Sequence, residues 1–559
     1  MKKKTIYIVL IAVAVFIFGI LLGVLLASCE TSSVQGPLFP HMEFYKDGQL
    51  AESVQPTDFT NADIKELHYN SEKLTYISHP HGFSIDLPAD SQPDFSIAAQ
   101  QVRFQSKLAD IVISQETVPV AYEPLDYIEE YMHRYLLEPS FLEYNRITLH
   151  KNATEKVRNM TVRFIAFERL PAPGSTVTNN AYVYCYLYPE RSTFYRILFK
   201  APAYNDELIT QIYKTLYSFT DTLEKKGTPK TTADFYPVLP DGWSAETRAL
   251  YDAIATSDTV QWGAFISGAI RDNNRDVVEK LEQKIDYNLE YLLDYVNFSQ
   301  PFPKDGMKLA AEMGKTVELT MQISSLMNEN LAGYNPALEV LDGVHDETLR
   351  KFAQDAKEFG KPFLFRLNNE MNSDWVSYGA TATLNDPDIF VALWHHIYNI
   401  FEEEGVHNAI WIFNPNNNSY PPQNYNHFLA YYPGNEYVHM YGVTGYNTGT
   451  YYIKENQENW LSFQELYDDI EKKSSEYFGK FPWIITEFGS SSIGGNKPQW
   501  ITNMFENIKN YDKIKVAVWF NADDLDPRPG KNNRVARPYR LDETRQTTEA
   551  FKKGIAAFK

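Results

Sequence analysis

The sequence predicts a multidomain chain in which a C-terminal (β/α)8 TIM barrel, residues 245–559, follows a smaller α+β domain, residues 70–222. Three observations predict it. In the second half, eight apolar strand signals alternate with helical ones over roughly 300 residues, the count and length of such a barrel. In the first half, strand candidates follow one another directly, as in an antiparallel sheet with a few helices. Between them lies GTPKTTADFYPVLPD, rich in Pro, Thr and Gly, so residues 223–244 read as a linker or an arm packed across the barrel.

The elements follow in order. Lys2, Lys3 and Lys4 precede an uncharged apolar run from Ile6 to Ala27, which leads into Leu26-Ala27-Ser28-Cys29. Basic, apolar and small residues in that order mark an export signal, taken as residues 1–28 and excluded from fold reasoning. The run is also long enough to cross a bilayer as an uncleaved anchor. Either way the remaining chain is expected outside the cytoplasm, held at the membrane by its N-terminus. Residues 29–69 are polar with little periodicity and read as a tether and lead-in.

In residues 70–222, Lys73–Ile77 and Phe83–Leu87 alternate with period two around a Pro-His-Gly turn, which predicts paired strands. Further strands are expected at 109–114, 160–167, 181–188 and 193–199, with helices at 125–136 and 206–217. His79 and His81 flank the turn proline and read as turn residues. Cys185, in AYVYCYLYP, has no partner except Cys29 of the export region, so it reads as a small buried strand residue and not as half of an intramolecular disulfide.

The barrel strands are expected at WGAFIS, LEYLLDYV, TVELTM, PFLFRLN, AIWIFNPN, VHMYGVTGYN, FPWIITEFG and KVAVWFNAD. Before the fourth, Leu349, Phe352, Ala353 and Ala356 recur at helical spacing and Gly360 ends the helix.

A net charge of -20 argues against nucleic acid or an anionic lipid surface as ligand. A neutral polysaccharide imposes no charge requirement, and 9 Trp and 38 Tyr supply rings that could stack on sugars. Glu370 closes the fourth strand signal and Glu487 the seventh. In a barrel both would reach the rim where the βα loops converge, and they supply the carboxylate pair that glycoside hydrolysis uses. Asn414, Asn416, Asn417 and Asn447 offer uncharged groups to sugar hydroxyls or simply form turns. Asp523, Asp524 and Asp526 read as a solvated acidic loop, with a bound cation as the alternative, and chemistry through two glutamates calls for no metal or other cofactor.

Several separated motifs carry a resemblance. RLNNEMNSDW places Arg366 four positions before Glu370 and Trp375 five after it; YPG follows at Tyr432–Gly434, then GVTGYN with Tyr446, TEFG with Glu487, and the strand holding Trp519. On these elements the chain from about residue 255 resembles glycoside hydrolase family 26, best known for endo-β-1,4-mannanases and also containing β-glucanases and xylanases. The resemblance implies Glu370 as general acid/base and Glu487 as nucleophile of a retaining double displacement. It also implies Arg366 and Tyr446 as partners of the nucleophile, Trp519 as the floor under the reacting sugar and Trp375 as a side wall. The family usually has His before its acid/base; Asn369 stands here, as in related barrel hydrolases where Asn contacts the sugar 2-hydroxyl. The third strand supplies Glu318 and Gln322 in place of an evident His. LASC likewise resembles a bacterial lipobox, which implies acylation of Cys29 and an extracellular, lipid-anchored enzyme. The expected substrate is a β-linked polysaccharide or oligosaccharide, mannan first and β-glucan or xylan next. The competing expectation is a non-catalytic carbohydrate-binding protein, against which the retention of both glutamates argues.

Overall fold

The computed structural model describes residues 43–46, 49–53, 65–175, 177–188, 192–324, 330–528, 530–531 and 534–558. The export region and Cys29 lie outside the described residues. Among the described residues no helix is long and apolar enough to cross a membrane.

Backbone contacts divide the described residues into two compact units, one holding those within 43–99, 103–107 and 211–232, the other those within 100–102, 108–210 and 233–558. Residues 108–210, grouped by the sequence with the leading segment, thus share a unit with the barrel. In the first unit, Lys73–Ser78 pairs antiparallel with Phe83–Pro88. The alternation buries Leu74 and Tyr76 against Phe83, Ile85 and Leu87. His79 meets Glu66 at 2.7 Å and His81 meets Ser78 Oγ at 2.9 Å, so both histidines serve the turn.

In the second unit five antiparallel strands run in the order Asp110–Thr117, Thr193–Ala201, Ala181–Tyr188, Met160–Arg169, Ile147–Val157. Cys185 is fully buried, and burial pushes its thiol well above the ordinary range. The helix expected at 125–136 is shorter, a turn at Pro124–Asp126 that widens into a π-helix at Tyr127–Met132.

Eight parallel strands close the barrel: Gln261–Phe265, Tyr291–Asn297, Thr316–Gln322, Phe363–Leu367, Ala409–Phe413, Met440–Asn447, Trp483–Ser490 and Ile514–Phe520. Each overlaps its predicted signal. Their inward side chains form an apolar plug of Leu293, Leu364, Ile410, Ile412, Met440, Ile484, Val516 and Val518, closed by Tyr251 and Ile254 of the helix Ala245–Ala255. Burying each such side chain stabilises by about 1.5–3 kcal/mol, which makes the interior a rigid base for what lies above it. Helix Asp346–Phe359 buries Leu349, Phe352, Ala353 and Ala356 and ends at Gly360 with φ 70°, a left-handed cap that glycine adopts at little cost. Residues 233–244 form a packed arm: Phe235 lies edge-on to Tyr432 at 5.0 Å, and Trp243 packs on the plug.

Candidate active site

Toward the carboxyl ends of the strands the inward side chains turn polar. Period two carries Tyr291 and Leu293 to Tyr295 on the second strand, Leu364 to Arg366 on the fourth, and Met440 to Thr444 and Tyr446 on the sixth. The seventh strand breaks the period. Its register with the sixth shifts between Val443 and Thr444, pairing Val443 with Ile485 but Thr444 with Glu487. Thr486 is therefore the extra residue of a β-bulge, and consecutive side chains both reach inward: Thr486 Oγ1 to Asn414 Oδ1 at 3.1 Å, Glu487 to Arg366. Gly442 makes room beneath them, since a Cβ there would lie 2.8 Å from Asn414 Cβ and 2.9 Å from Thr486 Cγ2.

Glu487 is 7% exposed and accepts three charge-assisted hydrogen bonds. Arg366 Nη1 donates to Oε1 at 2.7 Å; Tyr295 and Tyr446 donate to Oε2 at 2.8 and 2.9 Å. Arg366 is itself fully buried and fixed by Thr320 Oγ1 at 2.7 Å and Asn414 Oδ1 at 2.9 Å. Burial opposes its charge, yet Glu487, Glu318 and Tyr295 together hold the guanidinium firmly protonated.

Glu370 lies three residues past the end of the fourth strand, in a turn where Asn368 and Glu370 both adopt left-handed backbone, φ 56° and 54°. Asn368 N donates to Met321 O and Glu370 N to Asn414 O, each at 2.8 Å, so the neighbouring strands hold the turn in a conformation these residues disfavour. The Glu370 carboxyl has one weak donor, Asn416 Nδ2 at 3.3 Å. Burial first, then the Glu487 charge, raise its pKa above the usual carboxylate range, with Arg366 opposing. Such a group keeps its proton near neutrality while its partner is met by donors.

A third carboxyl sits beneath the pair. Glu318 is fully buried, and its Oε1 lies 3.2 Å from Arg366 Nε, whose hydrogen is engaged by Thr320. Neither Glu318 oxygen has a hydrogen-bond partner, and burial pushes the group up to about 8.

Of the residues predicted from sequence, Glu370, Glu487, Arg366 and Tyr446 converge. Asn369 flanks Glu370, its Oδ1 accepting from Gln322 Nε2 at 2.9 Å and Tyr378 Oη at 3.2 Å. Trp375 stands at the rim, 51% exposed, with its ring 5.3 Å from that of Tyr420.

Three predictions are corrected. Trp519 is not the sugar floor: Val516 and Val518 point inward, so Trp519 faces the outer helices, fully buried among Phe488, Trp500 and Phe551. Phe520, one residue on, points in, 5.0 Å from Phe265 and 6.0 Å from Tyr446. Asn414 is fully buried beneath Arg366, and Asn447 is fully buried and ties Ser490 to Leu461 N, so neither amide reaches a sugar. Sequence reasoning missed Tyr295, which continuing the alternation of the second strand would have found, and Tyr539, 4.8 Å from Tyr446, which lies outside any strand signal. Asp524 pairs with Arg537, and Asp526 with Arg528 at 2.7 Å. Among the described residues no group of three or more His, Cys, Asp or Glu could hold a metal ion.

The site is thus a parallel eight-stranded barrel bearing two carboxyls at its carboxyl rim, one of them clamped by an arginine and two phenols. Residues 314–516 match a family model described as glycosyl hydrolase family 26. Among curated relatives, Endoglucanase H of Acetivibrio thermocellus is 32% identical over 213 residues, 37% of this chain and 23% of that protein. Mannan endo-1,4-beta-mannosidase A and B of Caldalkalibacillus mannanilyticus is 23% identical over 175 residues, 30% of this chain and 32% of that protein. The chain thus spans a third or less of the length of either relative. Among solved structures, the catalytic domain of the Bacillus sp. JAMB-750 endo-beta-1,4-mannanase is 19% identical, with 58% of this chain and 92% of that chain covered and a TM-score of 0.44.

Proposed function

We propose that the barrel is an endo-acting, retaining β-glycanase, with β-mannan as first substrate. The observation that carries this reading is the contrast at one rim between Glu487, met by Arg366, Tyr295 and Tyr446, and Glu370, buried with one weak donor. Glu487 attacks the anomeric carbon while Glu370 gives its proton to the departing glycosidic oxygen, leaving a glycosyl ester on Glu487. Glu370, now a carboxylate, takes a proton from water, which opens the ester and restores both groups. Tyr295 and Tyr446 hold Oε2 of Glu487 and Arg366 holds Oε1, which fixes the carboxylate plane. Asn369 is the polar group beside the acid and the candidate contact for the sugar 2-hydroxyl.

A second substrate reading, β-glucan, is favoured by two observations: Asn369 stands where mannanases of the family usually have His, and the relative with 32% identity is described as an endoglucanase. The export motif and Cys29 support a lipid-anchored enzyme on the outer face of the membrane.

The test is reducing-end release from β-mannan, β-glucans and xylan by residues 31–559, beside Glu487→Ala. Cleavage of one polymer that falls by at least about 10³-fold in the variant is expected. Undiminished cleavage in Glu487→Ala, or none by the parent on any of the three with glycan binding retained, overturns the reading in favour of another nucleophile or of a binding protein.

A further inference from the structure

The segment 108–210 lies outside the region that matches the family, yet it touches the turn that carries Glu370. Four residues after the acid, Asp374 is gripped from the neighbouring sheet domain. Arg134 Nη2 donates to its backbone oxygen and to Oδ2, each at 3.1 Å, and Tyr135 Oη donates to the same backbone oxygen at 3.2 Å. Ser373 N donates to Glu370 O at 3.1 Å, so the grip and the acid belong to one turn. A second tie joins the loop after the fifth strand: Gln423 Nε2 donates to Thr117 O at 2.7 Å and to Tyr127 Oη at 2.9 Å.

Between these ties runs a band of aromatic rings. Trp375 and Tyr420 are half exposed and 5.3 Å apart, and the Tyr420 phenol feels the carboxyls of both Asp374 and Glu370. On the sheet domain, Arg134 lies over Tyr135 at 4.6 Å and over Tyr131 at 5.7 Å. Tyr131 stacks on Tyr127 at 5.3 Å, and Tyr122, 41% exposed, follows 6.3 Å from Tyr131. Rings placed only for packing lie buried, as Tyr184 and Tyr186 do in the same sheet and Tyr127 does beneath the band; Tyr122, Tyr131 and Tyr135 keep surface toward solvent. Half-exposed rings interleaved with a guanidinium and a carboxylate match the alternating apolar faces and hydroxyl edges of pyranose units.

We propose that the π-helix Tyr127–Met132 and its flanks extend the catalytic cleft on the side of Glu370, adding distal subsites for a neutral β-linked glycan, with Tyr122 and Tyr131 stacking on sugar rings beyond Trp375. The proposal rests on the glycanase reading of Glu370 and Glu487. It makes a domain foreign to the family match part of the substrate groove, and it assigns recognition of long chains to that domain.

The test compares kcat/KM for hexasaccharides and trisaccharides of β-1,4-mannan and β-glucan in the full chain, in Tyr131→Ala and in Tyr122→Ala. The ratio of hexasaccharide to trisaccharide should fall by roughly three- to tenfold in each variant, and end-labelled hexasaccharide should be cut at different bonds. Hexasaccharide titrated into Glu487→Ala, with and without the Tyr122 change, should show the same loss of affinity. Tyr122 is exposed enough to be replaced without loss of fold should Tyr131→Ala unfold. An unmoved ratio and unmoved affinity in a folded Tyr122→Ala overturn the subsites. A parent chain that cleaves neither length overturns the glycanase reading instead, and the titration still decides whether the sheet domain binds glycan.

Discussion

Glu487 and Glu370 face one cleft from opposite local worlds. Glu487 is set in a strand, bulged into place and supplied with three donors; Glu370 is set on a strained turn, buried and supplied with one weak donor. Two identical side chains are thereby given different surroundings by position alone. The lesson is that what separates the two carboxyls resides in the residues around them and not in the side chains themselves.

The largest effect should come from removing the shared cation. Arg366→Met strips Glu487 of its strongest donor and leaves Glu318 a buried carboxyl without compensation. Breaking a buried pair costs about 3–5 kcal/mol, so thermal unfolding should shift sharply downward and kcat fall by more than about 10³-fold. A variant that keeps its melting temperature and most of its turnover would remove the clamp from the account.

Next come the phenols. Tyr295→Phe and Tyr446→Phe each delete a hydrogen bond to a charged group, about 1.5–3 kcal/mol, and should each lower kcat about 10- to 100-fold with little change in KM. If Tyr295→Phe were silent, the clamp would reduce to Arg366 and Tyr446.

Glu318 sharpens the comparison through stability. Its folded pKa, about 8, lies above the ordinary 4.5, so folding takes up a proton between those values. Its stabilisation is fully present below about pH 4.5 and is lost as pH rises toward 8, by roughly 1.4 kcal/mol per unit within the window. Glu318→Gln should flatten that dependence in urea melts run across the range; parallel curves for the two proteins would place the proton elsewhere.

The smallest effect concerns Asn416. Activity should decline as pH rises through the raised pKa of Glu370, because the acid must carry its proton. Asn416 favours the carboxylate, so Asn416→Ala should move this alkaline limb upward by a fraction of a unit. Movement in the opposite sense would mean that Asn416 accepts from the protonated acid.

Much of this was legible in sequence, and the failures share a cause. Apolar runs broken by helical spacing announce all eight strands, carboxylates at their ends announce Glu370 and Glu487, and Arg366 comes only from the motif resemblance. What a linear reading handles poorly is parity. Trp519 belongs to the motif-bearing eighth strand, but one residue of offset sends it to the helices and Phe520 to the cleft. Glu487 would be misassigned by the same rule, because its inward aim depends on the extra residue at Thr486, and a bulge leaves no mark in hydropathy. Asn414 and Asn447 are expected at sugar hydroxyls or in turns, and the sequence does not separate either role from a polar barrel interior, which uses the same residue. The union of residues 108–210 with the barrel rests on pairs such as Arg169 with Asp342 and Lys200 with Asp386 at 3.1 Å, and spacing along the chain does not encode such pairs.

The left-handed backbone at Glu370 sets the molecule's durability against its chemistry. A non-glycine residue at φ 54° holds roughly 1–3 kcal/mol of conformational tension, and its carboxyl is buried as well. Glycine at that position would relax both. A population of variants sorted only for resistance to heat would therefore drift away from the acid, and the most heat-tolerant survivors at this site would be the ones unable to turn over substrate.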